Sequence, residues 1–210
     1  MTREGATTSA TLLGEPLPVE LMNTINVGRD GVHDALADDD AATAWLRAVA
    51  DRIDAEAGTG RWEGKAAGTA AGDMAGPMAA ELRMLRDALR RLAAEATGDP
   101  RPPATAPELT RPEAVATLNA LARAWPELVW LGDGKPARRY HPGDAVSLIA
   151  HQAVELFAGP DRERLRPCLA PNCLLFFAKD HARREWCSPA CGNRARVARH
   201  YQRRRPGRQS

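Results

Sequence analysis

The four cysteines of this chain are confined to its last 43 residues, where they form two closely spaced pairs. Cys168 and Cys173 enclose Leu-Ala-Pro-Asn, Cys187 and Cys191 enclose Ser-Pro-Ala, and 13 residues separate the pairs. Four thiolates give Zn²⁺ a closed tetrahedral shell with no open position for chemistry. We therefore predict one structural Zn²⁺ held by Cys168, Cys173, Cys187 and Cys191.

Two other interpretations of the cysteines are open, namely four incidental thiols or two disulfides. The compartment bears on the choice, because thiols stay reduced in the cytoplasm, where clustered cysteine pairs favour a metal. The sequence has no apolar stretch near the ~18 residues of a membrane span. Its first residues also lack the apolar core of a signal peptide. We expect a cytoplasmic protein that does not enter a membrane.

Charge is divided unevenly along the chain. Residues 1–161 carry 16 Lys and Arg against 24 Asp and Glu, whereas residues 162–210 carry 13 against 3. An acidic body joined to a basic end is typical of proteins that bind a polyanion. Binding of this kind weakens steeply with salt.

The chain before the cysteines has the apolar periodicity of a mostly helical domain with one small β-hairpin. Residues 17–25 fit either a strand or a helix. The other predicted elements are a helix from Asp38 to about residue 57, a mobile loop over 58–76, a helix opened by Pro77, a helix opened by the capping box Thr110–Glu113, a hairpin over 128–140 and a helix capped by Asp144. We expect Val115, Leu118 and Leu121 to face inward, and the core to contain the tryptophans at 45, 62, 125 and 130.

The cysteine segment has the order of a treble-clef-like zinc finger. Around the first pair we predict a knuckle, followed by a strand over 174–178, a turn over 179–183 and a return strand over 184–186. Ser188 and Pro189 are strong helix-start signals, as N-cap and first helical residue. The fold class is mainly α with a small β-hairpin element, in four predicted parts: a flexible tail (1–16), the helical domain (17–160), the four-cysteine finger (161–205) and a second tail (206–210).

The helix after the second cysteine pair is rich in arginine. Arg196, Arg199 and Arg203 share one face, and Val197 and Tyr201 form a more apolar face that we expect to pack on the finger. Guanidinium groups suit phosphates and guanine edges. The predicted DNA contacts are Asn193, Arg194, Arg196, Arg199, Arg203, Arg204 and Arg205. A solvated tail, or arginines docked on the acidic domain, are the alternatives.

Asn23 and Thr24 are a polar pair inside an apolar segment. They could line a ligand pocket, although the commoner role of such a pair is to cap a helix or satisfy buried backbone groups. His181 is expected in an exposed turn. We find no nucleophile elbow, phosphate loop or paired acids, and we do not expect an enzyme.

The second cysteine pair and its surroundings resemble the CGNR zinc-finger family, whose name matches residues 191–194. The segment that carries the resemblance is Arg184-Glu-Trp-Cys-Ser-Pro-Ala-Cys-Gly-Asn-Arg-Ala-Arg196. Three earlier segments resemble the usual partner of this finger, the ABATE domain. They are Leu21-Met-Asn-Thr-Ile25, the tryptophan helix around Ala44-Trp-Leu46, and Leu82-Arg-Met-Leu-Arg-Asp-Ala-Leu89. The family places Asp soon after the aromatic pair, whereas this chain has Ala-Lys-Asp after Phe177.

The resemblance implies a bacterial, stress-related transcription regulator with zinc on the four cysteines. DNA would be its partner, and the helical domain would sense a small-molecule effector, form a homodimer or contact the transcription machinery. The alternative function is a zinc-dependent module that binds an acidic protein. RNA binding is a weaker third interpretation, because few aromatic side chains of the finger are available for stacking.

Overall fold

A computed structural model describes residues 12–28, 30–57, 71–102, 109–123, 127–130, 132, 134–139 and 145–204. In chain order the elements are α1 (Leu17–Met22), β1 (Ile25–Gly28), β2 (Gly31–Asp34), α2 (Asp39–Ala57), α3 (Ala71–Thr97), α4 (Arg111–Leu121), β3 (Glu127–Trp130), β4 (Pro136–Arg139), α5 (Ala145–Ala158), a 3₁₀ turn (Pro160–Arg164), β5 (Leu165–Pro167), β6 (Phe176–Ala178) and α6 (Pro189–Arg203). The predicted fold class, mainly α with small β elements and a C-terminal cysteine cluster, is confirmed.

Helix α3 is the centre of the helical domain, since it packs against α1, α2, α4 and α5. Its inward residues Leu82, Leu85 and Leu89 are fully buried, as their spacing predicts. Trp45 from α2 belongs to the same core. The helices therefore enclose one apolar interior.

Local signals fix several helix ends. The Asp38 carboxylate accepts a hydrogen bond from the Ala41 amide at 2.8 Å at the start of α2. At α4, Thr110 and Glu113 form a complete capping box. Both helix starts are therefore stabilised by the residue types that predict them from the sequence.

Within the described ranges, three two-stranded antiparallel sheets accompany the helices, with partners β1–β2, β3–β4 and β5–β6. The β3–β4 hairpin is the predicted one, with Glu127 opposite Arg139 and Trp130 opposite Pro136. The segment at 17–25, for which strand and helix were both open, is helical over Leu17–Met22, and only its last residue, Ile25, belongs to strand β1. The β1–β2 hairpin has no counterpart in the sequence-based prediction.

Several expectations are wrong. Helix α3 begins at Ala71, so Pro77 is its seventh residue and lies inside the helix, where it removes one internal hydrogen bond without ending the helix. Val115 is exposed on α4, and Trp130 is 67% exposed on its hairpin. Other predicted features lie outside the described residues, namely positions 58–70 with Trp62, Trp125, Asp144, and the terminal tails at 1–11 and 206–210.

The core of the helical domain continues into the cysteine segment. Leu165 from β5 and Phe176 from β6 belong to the same buried cluster as the leucines of α3. A second cluster contains the four cysteines with Ala170 and Phe177. In the described part of the chain, no helix has the length and apolar character needed to cross a membrane.

Candidate metal centre and nucleic-acid interface

The first cysteine pair lies on a tight knuckle between β5 and β6. The Cys168 amide donates to the Leu175 carbonyl at 2.9 Å, and the Cys173 amide donates to the Ala170 carbonyl at 3.1 Å. Asn172 has a φ of 55°, a left-handed conformation that asparagine tolerates better than most residues. The knuckle turns both thiols toward the same side.

The second pair lies at the start of α6. Ser188 is the N-cap, and its hydroxyl accepts a hydrogen bond from the Cys191 amide at 3.3 Å. Pro189 follows as the first helical residue, as predicted. Because Cys191 stands in the first turn, the orientation of α6 depends directly on the cysteine cluster.

The strand that pairs within the finger differs from the predicted one. Phe176–Ala178 pairs with Leu165–Pro167, across the knuckle, and residues 184–186 are not a strand. The expected return strand is therefore wrong, although knuckle and helix are present as predicted. The Arg184 side chain holds this segment without strand pairing, because its guanidinium donates to the carbonyls of Ala178 at 3.1 Å and Cys187 at 3.2 Å.

The four thiols form one buried cluster whose dimensions fit zinc. All four sulfur atoms lie within 4.8 Å of one another. The sulfur of Cys173 lies 3.9 Å from that of Cys187 and 3.7 Å from that of Cys191, and the last two are 3.4 Å apart. A tetrahedral ion with Zn–S bonds near 2.3 Å requires sulfur separations of about 3.8 Å. These distances fit one Zn²⁺ and are far longer than a disulfide bond of about 2.05 Å.

The thiols interact strongly with one another. Hydrogen bonds from Cys173 and Cys187 lower the pKa of Cys168. The hydrogen bond with Cys168, together with burial, raises the pKa values of both Cys173 and Cys187. Four adjacent thiolates are therefore stable only when a cation neutralises them, which Zn²⁺ does when it is bound.

Arg194 adds a positive charge beside the cluster. Its Nη2 atom donates to the Cys191 sulfur at 2.9 Å. One nitrogen of this predicted DNA contact is therefore used at the metal site. The hydrogen bond to Cys191 raises the pKa of Arg194 against the opposing effect of desolvation.

Asn23 and Thr24 bind backbone groups. The Asn23 side chain donates to the Phe176 carbonyl at 2.9 Å and accepts from the Phe176 amide at 2.8 Å. The Thr24 hydroxyl donates to the Leu21 carbonyl at 2.8 Å. These contacts favour the alternative that the pair satisfies buried backbone groups, and Asn23 joins the helical domain to the finger.

Buried charges around the finger were not predicted from the sequence. The Glu15 carboxylate forms an ion pair with Arg184 and accepts a hydrogen bond from the Ala178 amide at 2.9 Å. The Glu20 carboxylate accepts from the Glu15 amide at 2.8 Å, and burial raises the pKa of Glu20. The sequence feature that could have predicted these contacts is the presence of two acids within the apolar run at residues 12–22, since a charge in such a run requires a buried partner.

Helix α6 buries one side and exposes a broad basic face. Cys191, Gly192 and Ala195 are buried. At about 100° per residue, the side chains exposed from Asn193 onward cover more than half of the circumference, and they are Asn193, Arg194, Arg196, Val197, Arg199, His200, Tyr201, Gln202, Arg203 and Arg204. No acidic residue occurs between Trp186 and Arg204. This face is called the basic face below.

The structure corrects one expectation about α6, and the remaining predicted residues of the finger are placed as follows. Val197 and Tyr201 are 54% and 64% exposed, so the prediction that they pack on the finger is wrong. Their positions point away from Cys191 and Ala195 around the helix. Arg205 lies beyond the described residues. His181 is exposed in its turn, as expected.

A helical domain followed by a four-cysteine zinc site defines a zinc-finger protein with an N-terminal partner domain. Residues 15–160 match the ABATE family, described as "Putative stress-induced transcription regulator", and residues 164–204 match the CGNR zinc finger. The chain belongs to the ABATE family and carries a CGNR zinc finger with one structural Zn²⁺. A search of curated proteins found no match.

Proposed function

We propose that this protein is a DNA-binding transcription regulator in which the zinc site holds the basic face of α6 against duplex DNA. The observation that carries the proposal is the basic face itself, which is exposed and contains arginines and no acid. Such a surface attracts a polyanion. The helical domain then serves effector sensing or oligomerisation.

The position of each residue on α6 suggests how DNA contacts are divided. Asn193 and Arg196 stand near the helix start, where side chains of a helix in the major groove reach base edges. Arg203 and Arg204 stand at the helix end and suit phosphate contacts. Arg199 lies one turn before Arg203 along the same edge of the basic face.

We propose that the protein acts by binding and not by catalysis. Four thiolates complete the coordination of Zn²⁺, so that no position is left for a substrate or an activated water. The ion would fix the start of α6 through Cys187 and Cys191. Its contribution to DNA binding is therefore the orientation of the helix.

Arginine variants of the zinc-loaded full chain test the proposal. Fluorescence anisotropy with a pool of random duplexes measures affinity, and salt titration measures the electrostatic share. We expect Arg196→Ala to weaken binding about tenfold and to relax any base preference. We expect Arg203→Ala to weaken binding to all sequences and to reduce the salt slope by about 1.

Arg47→Ala is the matched control, because Arg47 is exposed on α2 of the helical domain and its loss changes the net charge equally. It should bind DNA as the unaltered chain does. Equal affinities for the Arg196, Arg203 and Arg47 variants would rule out the basic face as the DNA contact.

A second candidate function is supported by the exposure of Val197 and Tyr201. Two apolar side chains among arginines also suit an acidic protein surface with an apolar patch. In that case one acidic protein would bind the zinc-loaded chain in the absence of nucleic acid. Its affinity would depend on Tyr201 at least as much as on Arg196.

A further inference from the structure

One arginine outside the finger contacts both arms of the zinc knuckle. The Nη1 atom of Arg101 donates to the carbonyls of Cys168 at 3.2 Å, Cys173 at 3.0 Å and Leu175 at 3.2 Å. Two of these carbonyls belong to the predicted zinc ligands themselves. A single nitrogen of Arg101 therefore joins the strand that enters the knuckle to the strand that leaves it.

Arg101 is held in place by Asp99. The Asp99 carboxylate accepts from Nε of Arg101 at 2.8 Å and from Nη2 at 2.6 Å, and the two side chains are only 6% and 14% exposed, respectively. The guanidinium also lies over the Phe176 ring, 4.8 Å from its centroid. An arginine with one edge fixed by a carboxylate presents its remaining nitrogen in one direction.

The end of α3 positions this pair. Gly98 has a φ of 59°, a left-handed conformation that suits glycine after a helix, and the Asp99 amide donates to the Ala94 carbonyl at 2.9 Å. Asp99 and Arg101 are thus attached to the central helix of the helical domain. The knuckle is supported by an element far from it in sequence.

We infer that Arg101 is a positioning residue for the zinc site, which acts by fixing the peptide groups that carry Cys168 and Cys173. When its carbonyl contacts are lost, the knuckle can open and the two thiolates no longer converge with those of Cys187 and Cys191. Groups that orient metal ligands typically contribute about 10- to 100-fold in affinity.

Zinc affinity of the full chain, measured by competition with a chromophoric chelator, tests this inference. We expect Arg101→Ala to bind zinc at least about tenfold more weakly. Arg101→Lys keeps the charge and can donate to the carbonyls but loses the two-point contact with Asp99, so its affinity should be intermediate. The absorption bands of bound Co²⁺ report the geometry of the thiolates, and we expect them to broaden in Arg101→Ala.

Arg166→Ala is the control, since Arg166 is an exposed finger arginine that donates to the carbonyls of Glu163 and Leu165 and not to the knuckle. It should bind zinc normally. Asp99→Asn keeps Arg101 but removes its charged partner, and should weaken zinc binding less than Arg101→Ala does.

Far-UV circular dichroism shows whether Arg101→Ala folds. If it does not fold, the Asp99→Asn and Arg101→Lys variants test the inference instead. Unaltered zinc affinity and Co²⁺ spectra in both would overturn the inference. Unaltered zinc affinity in a folded Arg101→Ala would overturn it directly.

Discussion

At the scale of single residues, the sequence shows where polar groups stand but not what they bind. Asn23 is an example, because its place in an apolar segment fits a ligand pocket as well as a buried structural contact. Its partner Phe176 is 153 positions away, a separation that no local pattern encodes. The same holds for Glu15 and Arg184, whose ion pair connects the two ends of the chain.

Asn23→Ala should destabilise the protein by about 3 kcal/mol, because it leaves the buried amide and carbonyl of Phe176 without partners. Urea unfolding followed by circular dichroism measures the loss. Asn119→Ala is a suitable control, since Asn119 is exposed on α4. We expect the control to change stability by less than about 0.5 kcal/mol, and a similar value for Asn23→Ala would contradict the proposed role of its contacts.

At the scale of elements, the sequence predicts structure wherever a local cap or period determines it. Ser188 and Pro189 place the start of α6, Thr110 and Glu113 place α4, and the leucine spacing identifies the buried face of α3. The cysteine spacing likewise predicts the metal cluster. The caps and the leucine spacing are local signals, and even the four cysteines lie within 24 residues of one another.

Elements that depend on distant partners could not be predicted in the same way. Strand β5 has three residues, too few for a visible alternation, and its partner lies beyond the knuckle. For that reason the sequence favours residues 184–186 as the partner strand instead. The exposure of Val197 also depends on how α6 is set on the finger, which helical periodicity alone does not specify.

The end of α5 provides a test of an element boundary. A Cβ atom at Gly159 would lie 2.6 Å from the Glu155 carbonyl oxygen, so that the chain can leave the helix here only without a side chain. We expect Gly159→Ala to cost about 1–3 kcal/mol through the required backbone shift. Thermal unfolding measures the change. Gly132→Ala is the control, because a Cβ atom there meets nothing within 4 Å, and equal effects of both changes would refute the argument.

At the scale of the whole molecule, the finger and the helical domain share a continuous interior. Arg90 on α3 donates to the carbonyls of Met22 at 2.7 Å and Leu174 at 3.2 Å, and so links α1 to the knuckle. Burial and the nearby charge of Arg101 lower the pKa of Arg90 to about 10. Within the described residues, none of the arginines of α6 forms an ion pair with the acidic domain. The finger is thus packed on the body while the basic face stays open.

This shared interior predicts that zinc removal destabilises the helical domain as well as the finger. Without the metal the knuckle loses its fixed form, and the packing of Leu165 and Phe176 in the common core is lost with it. We expect a strong chelator to lower the melting temperature of the full chain by about 10 °C, if the metal contributes a few kcal/mol to a chain of this size. Circular dichroism at 222 nm follows the helices directly.

The control for this experiment is Cys187→Ser, which removes one zinc ligand. Because its site is already incomplete, it should melt at the lower temperature with or without chelator, whereas the unaltered chain should regain its higher melting temperature when zinc is restored. The helices should unfold in one transition, since their core includes two finger residues. If instead the helical signal melts at the same temperature with and without zinc, the finger is an independent module, and its contacts with Asn23, Glu15 and Arg101 contribute little to the stability of the body.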